Sequence, residues 1–155
     1  MSRYAENTSV SSERSRGEIE STLRRYGASQ FMYGWDAASA VIVFTADARR
    51  VKFMLPMPDQ NAAEFTLTPG KRLTRSNEQA LAAWEQACRQ RWRALALVIK
   101  AKLEAVEAGI TVFDDEFLAH MMLPNGSTVG EWARPQLEAV YGSGTMPALL
   151  PGVAS

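Results

Sequence analysis

His120 is the only histidine and Cys88 the only cysteine among 155 residues, so the side chains most often used as base and nucleophile each stand alone. No serine or second histidine stands in motif context beside His120, which reads as a structural or surface residue. Cys88 falls on the apolar stripe of a helix and reads as a buried thiol. Three adjacent carboxylates, Asp114, Asp115 and Glu116, invite a metal reading. Consecutive helical residues point about 100° apart, however, and do not converge on one ion. There is no P-loop, no G-x-G-x-x-G, no H-E-x-x-H and no G-x-S-x-G. A nuclease-type core at Pro58, Asp59 and Glu64 fails because Thr66 stands where its lysine belongs. The expectation is a protein without enzymatic activity, cofactor or metal.

What remains is charge. Arg49, Arg50, Lys52, Lys71, Arg72 and Arg75 lie in or beside a strand-rich region that also holds Tyr33 and Trp35. Cations grip phosphates and aromatic faces stack on bases, a combination that suits single-stranded nucleic acid. On the longest helix Arg89, Arg93 and Lys100 project within about 40° of each other, opposite the apolar stripe. That ridge reads equally as a phosphate contact or as a solvated face whose long stems cover apolar surface. The net charge is zero, but residues 1–102 hold 16 of the 17 Lys and Arg against 10 acids, a balance of +6. Residues 103–155 hold one Arg against seven acids, a balance of −6. Such asymmetry suits an anionic partner for the basic part, or attraction between the two halves of one domain.

The elements that must position these residues are legible to different degrees. Residues 76–109 read as one helix, because Leu81, Trp84, Cys88, Trp92, Leu95, Ile99, Leu103 and Val106 recur three or four apart. Ser76 with Gln79 forms a capping-box pattern, and Gly109 suits a left-handed stop. A first helix is expected from Ser11 or Ser12 to Gly27, with an i,i+4 pair at Glu20 and Arg24, after a polar arm over residues 1–10. Strands are expected over residues 30–35, 39–45 and 50–55, the last two joined by a hairpin around Asp47 whose length is left open. Residues 64–68 offer a short fourth strand before a turn at Pro69 and Gly70. After Gly109 a short helix capped by Thr111 or Asp114 is expected. A turn at Pro124 to Gly126 follows, then a helix capped by Thr128 through Trp132, Leu137 and Val140 to Gly142, kinked or split at Pro135. The fold class is α+β: an antiparallel sheet of three or four strands packed against one long helix, with flanking N- and C-terminal helices. One domain spans residues 11–144, and residues 145–155 form an apolar, proline-containing tail expected to dock in cis or in trans.

Four blocks carry a resemblance: ERSRGEIESTLRRYGA, WEQACRQRWRALALVIKAKLEAVEAGI, FDDEFLAHMMLPNGSTVGEW and the terminal MPALLPG. Together they resemble a family of small uncharacterised proteins encoded by bacteriophages and prophages. The resemblance implies a host-cytoplasmic setting and accessory work in DNA replication, recombination or resistance to host defence. It brings no catalytic residues. The leading expectation is a phage accessory protein that binds single-stranded or duplex DNA without sequence preference. Its site would comprise Arg49, Arg50, Lys52, Lys71, Arg72, Arg75, Tyr33, Trp35, Arg89 and Arg93. The alternative is a protein-binding module or inhibitor of a host protein. Expected partners are therefore nucleic acid, a host or phage protein met through the acidic C-terminal third or the tail Met146 to Pro151, and further copies of the chain. No signal peptide or membrane span is expected, because the N-terminus lacks an apolar run and no apolar run approaches about 18 residues.

Overall fold

The computed structural model describes the backbone of residues 3–146, with side chains from residue 13. The elements are α1 (Arg3–Arg25), β1 (Gln30–Trp35), β2 (Ser39–Ala46), β3 (Arg49–Pro56), α2 (Ala63–Thr66), α3 (Asn77–Glu107), α4 (Phe113–Glu116), a 3₁₀ turn (Leu118–His120) and α5 (Val129–Ser143). This is the expected α+β architecture. The three strands form one antiparallel sheet in the order β1-β2-β3, and α1 and α3 cover one face of it.

Period-two alternation decides which side chains that face receives. Ala40, Ile42 and Phe44 of β2 and Val51 and Phe53 of β3 are buried against Ile19 and Leu23 of α1 and Trp92, Leu95, Ile99 and Leu103 of α3. Phe117, fully buried, meets Phe44 and Phe53 edge-on at 6.0 and 6.3 Å between ring centres. The outward face carries the other parity, with Met32, Val43 and Lys52 in one row and Gly34, Val41 and Met54 in the next.

The long helix forms as its sequence directs. Ser76 Oγ accepts from Gln79 N–H, the Gln79 side chain accepts from Ser76 N–H, and Gly109 takes φ 77° just past the last turn. A smaller core sits over its first turns, where Phe65, Trp84 and Cys88 pack together with Met57. There Trp84 Nε1 donates to Pro58 C=O at 2.7 Å, fastening the long connection between β3 and α3 to the helix.

Several boundaries differ from the sequence expectation. Helix α1 begins at Arg3, so residues 3–10 are helical rather than a polar arm; no glycine or proline interrupts residues 3–16. The expected fourth strand at residues 64–68 is instead α2, and only Leu67 bridges, to Thr74. Phe65 is buried in the smaller core on that helical turn, and this anchoring overrides local β preference. The cap of α4 is Val112, with no side-chain bond, where Thr111 or Asp114 was expected. Helix α5 runs through Pro135 to Ser143, and Gly144 rather than Gly142 supplies the left-handed stop at φ 72°. The β2–β3 hairpin closes through two residues, Asp47 and Ala48, at φ 52° and 60°. This primed geometry matches the twist of the strands but is one that glycine adopts far more readily than alanine. Of the expected apolar tail, residues 147–155 lie outside the described residues, and Met146 is exposed.

Candidate interaction surfaces

The titratable groups with chemical potential are tied to structural partners. His120 lies face to face with Phe53 at 4.0 Å between ring centres. Its pKa falls below the ordinary value, first because it is part-buried and then because Lys102 is near, with a backbone hydrogen bond at Lys52 opposing both. Lys102 Nζ bonds Glu116 at both its carboxylate and its backbone oxygen, at 3.1 and 3.2 Å. Arg49 holds Asp114 through two bonds of 3.2 and 3.1 Å. Two of the three adjacent carboxylates thus serve ion pairs, and among the described residues no group of three or more His, Cys, Asp or Glu could hold a metal. Burial pushes the Cys88 thiol up to about 11, far from the thiolate a nucleophile needs.

The ten residues read as a nucleic-acid site are distributed over opposite sides of the molecule. Arg50 and Lys52 share the outward sheet face, where Lys52 Nζ reaches the Gly126 carbonyl at 3.2 Å. Arg49 has the other parity and is neutralised by Asp114. Lys71 and Arg72 are exposed at the turn before α3, with Arg72 in the left-handed region at φ 54°. Arg75 folds back to donate to Phe65 C=O at 3.2 Å. Arg89 bonds Gln86 at 2.6 Å, and exposed Arg93 lies a turn further along α3, the helix that covers the inner face. Tyr33 stays 37% exposed, but one face of its ring is taken by the Arg16 guanidinium 3.9 Å over it and Trp92 meets it edge-on at 6.1 Å. Trp35 remains 68% exposed at the end of β1. The structure brings Arg50 and Lys52 together and separates that pair from Arg89 and Arg93 by the thickness of the sheet.

The surface that the sequence did not single out is α5. Its first turn is built to sit on the body: Thr128, buried, accepts from Glu131 N–H at 3.2 Å, and Val129 N–H donates to Met121 C=O at 2.9 Å. Gly130 lies so close to the 3₁₀ turn that a Cβ there would stand 2.9 Å from Ala119 O. Beyond this anchor no residue of α5 is buried. Ala133, Leu137, Val140 and Tyr141 fall on one stripe of about 100°. Leu137 and Tyr141 are 54% and 86% exposed; Trp132, also 60% exposed, projects from the other side of the helix, about 180° from Tyr141. The sequence expectation placed Trp132, Leu137 and Val140 on this helix without assigning them to a core, and none of its 15 residues is buried. Exposed apolar residues clustered in this way mark interaction sites more often than scattered ones do.

Comparison of the chain with protein-family models, with curated protein sequences and with solved structures gave no match. Among the described residues no helix is long and apolar enough to cross a membrane.

Proposed function

We propose that this protein is a protein-binding module whose docking element is α5. The observation that supports it is the stripe of Leu137 and Tyr141, exposed on a helix with no buried residue, whose first turn is anchored to the body. An amphipathic helix laid into an apolar groove is a common mode of recognition, with anchors at helical spacing carrying the affinity. Glu131 and Glu138 outweigh Arg134 on the same helix, so a groove with a basic rim fits it. The resemblance to phage-encoded proteins sets such a module among accessory factors that engage a host or phage protein. The test is a photo-crosslinking amino acid placed at position 141 in producing cells, with the adduct identified by mass spectrometry. One dominant protein adduct, lost when Leu137→Ala is added, supports the reading; crosslinking indifferent to Leu137 contradicts it.

Nucleic-acid binding stands as a second reading because Arg50, which forms no ion pair among the described residues, lies beside Lys52 on the outward sheet face. On this reading phosphate contacts dominate. Affinity for labelled single- or double-stranded DNA then falls with salt, with a log-log slope of about 0.7 to 0.9 per phosphate neutralised. The double variant Arg50→Glu, Lys52→Glu abolishes binding if this face is used and leaves it unchanged if it is not.

A further inference from the structure

The two edges of the sheet are treated differently by the rest of the chain. Along β3 the outer edge is engaged. Met122 N–H donates to Arg50 C=O at 2.8 Å, Arg91 donates to Pro56 C=O at 2.8 Å, and Met121 bridges Val51. Along β1 it is bare. The Asp36 N–H donates to Ser39 C=O where the β1–β2 hairpin closes. Because antiparallel ladders alternate, the N–H and C=O groups of Phe31, Tyr33 and Trp35 then face away from β2. Among the described residues no hydrogen bond reaches any of these six groups.

An open edge is a template for pairing with another chain, and proteins that must avoid this place lysine, proline, inward charge or a bulge there. Strand β1, Gln-Phe-Met-Tyr-Gly-Trp, has no charged residue and no proline. Its ladder with β2 is continuous from Gln30↔Thr45 to Trp35↔Ala40, so it has no bulge either. The opposite edge strand carries Arg49, Arg50, Lys52 and Pro56.

We propose that β1 is a self-pairing edge, and that two copies of this chain join antiparallel through it into one continuous six-stranded sheet. The sequence of the strand is self-complementary for this. A two-fold axis through Tyr33 sets Tyr33 opposite Tyr33 of the second copy and Phe31 opposite its Trp35. All of the groups that face outward then pair, giving about two hydrogen bonds for each facing pair. The same register sets Met32, 51% exposed on the outward face, opposite Gly34 of the second copy. Glycine leaves the room that the Met32 side chain fills, since a Cβ at Gly34 would meet only Val41 Cγ1, at 3.6 Å. The row Val43–Met32 of one copy thereby continues into Gly34–Val41–Met54 of the other, and the apolar outward face becomes unbroken across the joint. Neither the strand nor the chain as a whole carries net charge, so no long-range repulsion opposes the encounter. This interface is separate from the α5 reading and does not depend on it.

The experiment is sedimentation of the full chain across concentrations, comparing wild type with Gly34→Lys and Trp35→Pro. Both substitutions spare the monomer: Gly34 has space for a side chain, and the Trp35 N–H makes no bond within the sheet. The expected result is a wild-type mass of twice 17.1 kDa and dimerisation weakened at least about tenfold in either variant. Amide exchange gives an independent reading, with the N–H groups of Phe31, Tyr33 and Trp35 protected in concentrated wild-type protein and released on dilution. A wild-type monomer with fast exchange at these amides overturns the proposal. So does a dimer that survives both β1 variants, or one dissolved by Leu137→Ala, Tyr141→Ala while β1 remains unprotected.

Discussion

Replacing each of two glycines of α5 by alanine should shift the stability of this helix in opposite directions. Alanine is the better helix former by about 1 kcal/mol at interior positions and by less near the ends. At Gly142 an added Cβ meets nothing within 4 Å, so only this gain of about 0.5 kcal/mol remains. At Gly130 the added Cβ would stand 2.9 Å from Ala119 O, and 3.4 Å from Ala119 Cβ. The first of these is a backbone atom that does not rotate away. Forcing a methyl group into such a contact costs about 1 to 3 kcal/mol, which exceeds the propensity gain and leaves a net loss of about 1 kcal/mol. Because no residue of α5 is buried, the effect falls on local opening of the helix more than on melting of the domain. Amide exchange within α5 is therefore the assay. Gly130→Ala should speed exchange about fivefold and Gly142→Ala should slow it about twofold. If Gly130→Ala slows exchange as Gly142→Ala does, the close approach to the 3₁₀ turn is not what holds α5 to the body.

Trp92→Ala should cost about 3 to 5 kcal/mol in urea unfolding, since the ring is 2% exposed at the centre of the main core; a loss below about 1 kcal/mol would remove it from the core. Ala48→Gly should stabilise the protein by about 1 kcal/mol by relieving the left-handed strain at φ 60°, read as a higher urea midpoint at unchanged slope, and a lower midpoint would contradict it. His120 has a folded-state pKa below its ordinary 6.5, so the unfolded chain binds its proton first on acidification. Its contribution to stability is present above about pH 6.5 and lost as pH falls through the folded value. Urea midpoints should therefore decline less between pH 7.5 and 5.5 in His120→Asn than in wild type, and parallel declines would refute the assignment.

The elements that local chemistry specifies were the ones legible in the sequence. Ser76, Gln79 and Gly109 bracket α3 by caps that need no tertiary help, and the apolar β-branched run Val41 to Phe44 followed by alternation through Val51 to Leu55 names a hairpin. The segment at residues 63–66 was misread because Phe65 answers to Trp84 and Cys88, which lie 19 and more residues away and leave no local period. The start of α1 was placed too late because Ser11 and Ser12 look like caps, although nothing before them breaks a helix. For the candidate site, one part was available in principle: adjacent Arg49 and Arg50 on a strand must face opposite sides, so they never formed one basic patch. The contact of Arg16 over the Tyr33 ring was not available, because it depends on how α1 crosses the sheet. Nor was the exposure of Leu137 and Tyr141, whose spacing looks the same whether the stripe meets its own core or another protein.

On the proposed reading, α5 binds a protein through side chains that its own fold leaves exposed. It is tested most directly by titrating the protein crosslinked at position 141, once purified, against wild type and Leu137→Ala, Tyr141→Ala. Anchors of this kind contribute about 2 kcal/mol or more each, so the double variant should bind at least about a hundredfold more weakly, while its melting temperature stays at the wild-type value because neither side chain is buried. Equal affinity of the two proteins for that partner would contradict the account.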